Sequence, residues 1–445
     1  MRKLFVVVCA VSFGSALSAA LAAESAPSTA LETSASIPNL DPIYSGLDAF
    51  YIDLHQNPEL SGHEEKTAAK LADRLRRLGY QVTTGVGGTG VVALMKNGSG
   101  PTLMLRADMD ALPVEERTGL AYASKVTVKG PGGAAVPVMH ACGHDLHMTT
   151  LLGAATLLAQ MKDRWRGTLM LIGQPAEETV NGAEGMLKDG LFTKFPKPTY
   201  AVALHDSAEL PSGTIGYAPG FFLAAADSVN ITVFGRGGHG AYPHKTIDPV
   251  LIAARIVLAL QTIVARERNP LDPAVITVGS IHGGSKNNII PDEVKLLLTV
   301  RSYTDEVRKK LLSGISRIAK AEAAAANAPK EPIVEVTEST PATYNDPVLT
   351  KRVAATLARA FGDSNVTQIS PKMGAEDFAA YGRAGVPALM FDLGAVEPQK
   401  YEKATGSGTP LPSLHSSEWA PDRERTIRTG VSALTVVALD LLSKK

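Results

Sequence analysis

Met139-His140-Ala141-Cys142-Gly143-His144-Asp145-Leu146-His147 places a cysteine, an aspartate and three histidines within one short stretch. Thiolate, imidazole and carboxylate are the donors that a divalent transition metal takes. Directly after it, Met148, Leu151, Leu152, Ala155 and Leu158 recur at helical spacing, which predicts a helix beginning at this turn. Cys142 and His144 are therefore expected just before a helix N-terminus, where the dipole favours an anion and should lower the thiol pKa. Gly143 lets the backbone turn so that its two neighbours can aim at one point. The competing reading is a buried structural cysteine among incidental histidines.

The chain has 445 residues, 45% of them hydrophobic and 20% charged, a composition that suits a soluble globular protein of two domains. A formal net charge of +0 and the lack of a long basic run exclude nucleic acid and an anionic membrane surface as partners. Arg2 and Lys3, the apolar residues 4–17 and Ala20-Leu21-Ala22 have the order of a signal peptide, assigned to 1–23. The mature chain is then exported, to the periplasm or beyond, and keeps no membrane segment. Residues 24–39, rich in Ser, Ala and Thr, read as a disordered lead-in. Of 2 cysteines, Cys9 leaves with the leader. Cys142 is then the only thiol and cannot form an internal disulfide, so a metal-ligand role would explain its presence.

Helical periodicity is predicted over 43–55 and again from Ser61-Gly62-His63-Glu64-Glu65 to Gly79. Three apolar strands run into polar chemistry: 101–106 into Arg106-Ala107-Asp108-Met109-Asp110, 168–172 into Gln174-Pro175-Ala176-Glu177-Glu178, and 200–204 into His205. Sites in α/β sheets form at the carboxyl ends of strands, so these ends are expected to share a cleft. From about 227 to 336 the order becomes β-α-β-β-α-β, that of a ferredoxin-like sandwich. The expected architecture is a mixed-sheet α/β/α catalytic domain, residues 40–224 and 339–445, interrupted by an inserted α+β lid or dimerisation domain, residues 225–338.

Cys142, His144, Glu178, His205 and His415 offer enough donors for two divalent ions about 3.5–4 Å apart sharing one bridging group. Zn, Mn, Co and Ni all suit such a set. Adjacent carboxylates can divide the work, Glu178 ligating while Glu177 stays free as general base. The competing reading of the pair is a solvated acidic start to the next helix.

These motifs resemble the M20 metallopeptidases, in particular the amidohydrolase branch that includes hippurate hydrolases, N-acyl-amino-acid amidohydrolases and auxin-conjugate hydrolases. The resemblance covers nearly the whole mature chain. It is carried by His55 with Pro58-Glu59, Arg106-Ala107-Asp108-Met109-Asp110-Ala111-Leu112-Pro113, the 139–145 cluster, Gln174-Pro175-Ala176-Glu177-Glu178, Gly238-His239, Asn288-Ile289-Ile290-Pro291, Met373-Gly374-Ala375-Glu376-Asp377-Phe378 and Leu414-His415-Ser416. It implies metal ligands at Cys142, His144, Glu178, His205 and His415 and a general base at Glu177. It also implies that His239 reaches an active site, often a partner subunit's, to stabilise the oxyanion. Asn288 and Arg301 match substrate-carboxylate contacts, and Asp108 matches an acidic residue that orients a ligand. Arg106 stands where the carboxypeptidase branch has a ligating histidine. His140 and His147 read as supporting rather than ligating, and Glu376 and Asp377 as bracing the site. Leu146 and Asp206-Ser207 depart from the family's usual glycine and apolar residue.

The expected activity is metal-dependent hydrolysis of N-acyl or N-aroyl amino acids, with a homodimer formed through the inserted domain. The alternatives are a metallo-carboxypeptidase or dipeptidase on short peptides and a non-catalytic periplasmic binding protein, against which the intact Glu177 argues.

Overall fold

The computed structural model describes residues 38–444; the leader and most of the lead-in lie outside the described residues. An eight-stranded sheet runs in the order Gln81–Val86, Gly90–Asn97, Gly167–Gln174, Thr102–Asp108, Tyr200–Pro211, Ala388–Val396, Ile215–Tyr217, Val366–Gln368. Its four central strands are parallel. They read as near-continuous apolar runs because helices cover both faces. Leu103, Leu105, Leu169, Leu171, Val202 and Phe391 point into one layer, against the helices Asp41–Gln56, His144–Gln160 and Arg423–Leu441. Met104, Met170, Ile172, Ala201 and Met390 point into the other, with Phe378 and Tyr381. Each of the buried Leu, Val, Ile, Phe and Met side chains contributes about 1.5–3 kcal/mol by leaving water.

Parallel register sets the chemistry at one level. Asp108 pairs with Gln174, and His205 pairs with Asp392. The strand expected to stop at His205 runs on to Pro211, because the neighbouring strand Ala388–Val396 continues to pair with it. The motif 373–378 precedes a short helix, Ala379–Arg383, and is held in a loop by buried charges.

The inserted unit is a four-stranded antiparallel sheet ordered Ala274–His282, Glu293–Ser302, Ala225–Phe234, Ile333–Thr340, the ferredoxin-like arrangement. Helices Pro249–Thr262 and Asp305–Ala325 start on side-chain caps, Asp248 accepting from Val250 N and Thr304 from Val307 N, which satisfies otherwise orphaned donors. Ile252, Ile256 and Leu260 of the first helix pack on Val229, Ile231, Leu296 and Leu298. Its other side leaves Leu251 and Leu258 exposed. The two crossings between the units pair as a short ribbon, Gly220–Leu223 with Thr343–Asn345.

His55 links the first helix to the metal-motif helix. Its Nδ1 lies 2.7 Å from Asp145 Oδ2 and its Nε2 3.1 Å from Glu116 Oε1, all buried. Burial alone would lower its pKa, but the bonds to Asp145 and Glu116 outweigh that and raise it from 6.5 to about 10. A raised folded-state pKa stabilises the protein below the unfolded value and is lost as pH rises through the folded one. The unfolding free energy should therefore fall between pH 6.5 and about 10. His55→Gln should flatten that fall in denaturant titrations; a variant curve parallel to wild type would contradict the assignment.

Candidate metal centre

Gly143 is the N-cap of the helix His144–Gln160, with φ 75°, a conformation that glycine adopts at little cost. It turns the chain so that Cys142 and His144 face the ends of the parallel strands. Burial, Glu178 and Glu177 push the Cys142 thiol well above its ordinary range. This corrects the lowering expected from the helix N-terminus: a thiol before the N-cap, surrounded by carboxylates, feels them and its desolvation more than the dipole.

The turn that carries Glu177 and Glu178 is built with equal constraint. Ala176 sits at φ 52° and Val180 at φ 51°. Glu64, fully buried, holds the turn: its Oε1 accepts Ala176 N at 2.9 Å and Gly62 N at 2.8 Å, and its Oε2 accepts Thr89 Oγ1 at 2.5 Å. Asp110 Oδ2 accepts Glu178 N at 2.9 Å and Ser61 Oγ at 2.6 Å. A Cβ at residue 182 would fall 1.6 Å from Pro175 O, so only glycine closes the turn.

Donors from four separated segments converge. The ligating atoms of Cys142, His144 and His205 lie within 4.8 Å of one another, as do those of Cys142, Glu178 and His415. Cys142 belongs to both groups: its Sγ is 3.2 Å from His415 Nε2 and 3.6 Å from His205 Nε2. His415 is held at φ 65° and its Nε2 lies 3.5 Å from Glu178 Oε2. His144 Nε2 is 3.8 Å from Glu177 and 3.9 Å from Glu178.

The arrangement fits metal ions. His144 Nε2 and Glu178 Oε1 are buried with no hydrogen-bond partner, a costly state for polar atoms unless something else satisfies them. Burial and His144 act in opposite directions on Glu178, whose pKa ends at about 7. Burial, Glu376 and Glu178 raise the Glu177 carboxyl well above its ordinary value. Burial would lower His144, yet Asp108 and Asp110 raise it to about 9. A centre whose acids and imidazoles are both pushed toward their protonated forms is short of cationic charge.

Asp108 faces His147 and Arg106, with Oδ1 2.6 Å from His147 Nδ1 and Oδ2 accepting Arg106 Nη1 at 2.6 Å; His144 Nε2 is 3.7 Å away. Asp110, not singled out from the sequence, is the carboxylate beside the other ring nitrogen, 3.3 Å from His144 Nδ1. Its signal was the second aspartate of the 106–113 motif. Arg301 lines the same cleft of about 600 Å3 as Cys142, Glu177, Glu178, His205 and His415. Its Nε donates to Thr299 Oγ1, and it makes no ion pair among the described residues. His239 and Asn288 do not line that cleft. His239 is exposed on a two-residue strand that pairs with Ile289–Ile290, and Gly240 N donates to Asn288 O at 2.9 Å.

Arg106 occupies the floor. It is fully buried with three carboxylates: Asp108, Glu376 at 2.7 Å and Asp377 at 3.2 Å. Its Nε donates to Gln174 Oε1 at 2.9 Å.

Residues 104–407 match the family described as Peptidase family M20/M25/M40. The chain is 38% identical to thermostable carboxypeptidase 2 of Saccharolobus solfataricus, over 88% of this chain and 94% of that protein. It is 37% identical to the hippurate hydrolase of Campylobacter jejuni, over 78% and 87%. Among solved structures, the YXEP protein of Bacillus subtilis, described as a dinuclear metal-binding peptidase from the M20 family, superposes with a TM-score of 0.70 at 27% identity, covering 89% of this chain and 99% of that one. The chain belongs to peptidase family M20/M25/M40.

Arg106→Met should cost about 3–5 kcal/mol, since removing one partner strands the others as uncompensated buried charges. Thermal unfolding checks this; an unchanged Tm would show that the cluster is neutral by protonation.

Proposed function

We propose that this chain is a metal-dependent amidohydrolase that cleaves the amide bond of N-acyl or N-aroyl amino acids. The observation that carries the reading is one cleft holding the Glu177 carboxylate, the two donor groups that share Cys142, and the unpaired guanidinium of Arg301. Cys142, His144, Glu178, His205 and His415 would hold two divalent ions, of Zn, Mn, Co or Ni. When bound, such ions polarise a carbonyl and lower the pKa of water.

The protein's own residues do the rest. Glu177 takes a proton from the attacking water and delivers it to the leaving nitrogen. A carboxylate is a group that can both accept and donate this proton. Arg301 pairs with the substrate carboxylate and sets the distance from that carboxylate to the scissile bond. Asp110 beside His144 Nδ1, and the Asp206 carbonyl beside His205 Nδ1 at 2.8 Å, orient the rings so that each Nε2 faces the centre. His239, exposed and outside its own cleft, supports an oxyanion contact made in a second copy's cleft, with Asn288 carried beside it. The exposed Leu251 and Leu258 and the open edge strand Ala274–His282 support a homodimer through the inserted unit.

The second reading, a carboxypeptidase on short peptides, is favoured by the 38% identity to thermostable carboxypeptidase 2. Both substrates present an amide next to a free carboxylate, so Arg301 serves either.

Glu177→Gln should retain metal while losing turnover by several orders of magnitude, since it removes the group that moves the proton. Turnover of hippurate-type substrates should exceed that of dipeptides in parallel assays with elemental analysis. Dipeptides cut far faster would select the second reading, and a wild-type protein inert on every acyl amino acid and peptide would sink both. We also place the mature enzyme outside the cytoplasm, on the charged, apolar and Ala-Leu-Ala order of residues 2–22. N-terminal sequencing of exported protein should begin at Ala23 or Glu24; an intact Met1 would refute export.

A further inference from the structure

Two buried side chains have no part in the chemistry above: His147 and Asp206, each 1% exposed. His147 packs beside the rings of His144 and His205, at centroid distances of 5.4 and 4.6 Å. Its Nδ1 meets Asp108 Oδ1 at 2.6 Å. Its Nε2 accepts the Asp206 backbone N–H at 2.9 Å, and Asp206 Oδ1 lies 3.1 Å from that nitrogen. Both nitrogens are engaged, so the ring has no lone pair to offer an ion. Through Nε2 it fixes Asp206.

Asp206 then touches both halves of the centre. Its Oδ1 is 3.3 Å from His205 Nδ1, and its carbonyl oxygen is 2.8 Å from the same nitrogen. A carbonyl can only accept, so His205 Nδ1 carries the proton and Nε2, 3.6 Å from Cys142 Sγ, keeps its lone pair. The carboxylate also lies against the Cys142–His144 turn: a Cβ at residue 143 would fall 2.5 Å from Asp206 Cγ and Oδ2. Asp206 Oδ2 is buried without a partner.

We propose that Asp206, clamped by His147, is a positioning residue of the metal centre. It sets the tautomer and ring plane of His205, and it forms the floor beneath the Cys142–His144 turn. Donors from the helix N-terminus and from the strand Tyr200–Pro211 thereby converge. The inference rests on the metal-site reading. It assigns a use to the Asp206 position, where the sequence departs from the apolar residue of the resembled family.

The test uses the full mature chain, stripped by chelator and titrated with Zn2+ by calorimetry. A Co2+ titration followed by absorption reports ligand geometry. Asp206→Asn keeps the side-chain shape and both backbone bonds. It should weaken one Zn2+ equivalent about 10–100-fold, the usual effect of losing a group that orients a metal-bound histidine, and shift the Co2+ bands, with the apoprotein Tm near wild type. His147→Gln should act in the same direction. The double variant should cost no more than the larger single one, because the two act as a unit. Wild-type Zn2+ affinity and an unaltered Co2+ spectrum in Asp206→Asn would overturn the inference while leaving the metal centre standing. A wild-type protein that takes up no Zn2+ or Co2+ would overturn the metal reading itself. Should Asp206→Asn not fold, His147→Gln, which removes the same contact from the other side, decides in its place.

Discussion

Six carboxylates, Asp108, Asp110, Glu177, Asp206, Glu376 and Asp377, are at most 5% exposed around one point in the fold. Charges of one sign cannot be buried together unless opposite charge or protons accompany them. Arg106 answers for the deepest three. Nearby acids raise the proton affinity of His144, and burial and like charge raise that of Glu177 and Glu178. The protein's shape around the site follows from this requirement. The sheet must be parallel at its centre so that several strands end at one level, and helices must cover both faces to keep water out.

The same requirement explains why the loops are so rigidly made. Glu177 is useful only at a defined distance from the donors beside it, and it lies on a turn with two non-glycine residues at positive φ. Such a conformation persists only where surrounding bonds over-determine it. Glu64 and Asp110 supply those bonds from the segments that follow the first helix and the strand Thr102–Asp108. The division of labour is clear: one set of acids faces the cleft, and a second set, facing backbone N–H groups and arginine, holds the first in place.

Arg301 ties the inserted unit to this chemistry. It is half-buried in the cleft wall, and burial pulls its pKa down, with Asp227 acting against that. A guanidinium without an ion pair in such a place underlies the proposed contact with a substrate carboxylate. The cleft therefore carries positive charge on the inserted unit and donor atoms on the catalytic one, with the ribbon Gly220–Leu223 and Thr343–Asn345 as the connection.

Several features were legible in the linear chain because they are local. Cys142 and His144 flank one glycine before one helix, Glu177 and Glu178 are adjacent, and the β-α-β-β-α-β order of the inserted unit is a matter of periodicity. His205 and His415 could be read from the motifs around them. The tertiary structure alone decided which acids do the holding. Glu64 differs from dozens of other acidic residues only in what packs against it, the roles of Asp110 and Asp206 likewise follow from their packing, and Arg106 became the floor's counter-charge only when Glu376 arrived from 270 residues away. It also reversed the expected acidity of Cys142, since the helix dipole is a property of local sequence whereas desolvation and neighbouring charge depend on the whole fold. Motif residues declare themselves by type and spacing; the residues that aim them are chosen by packing, which has no short-range signature.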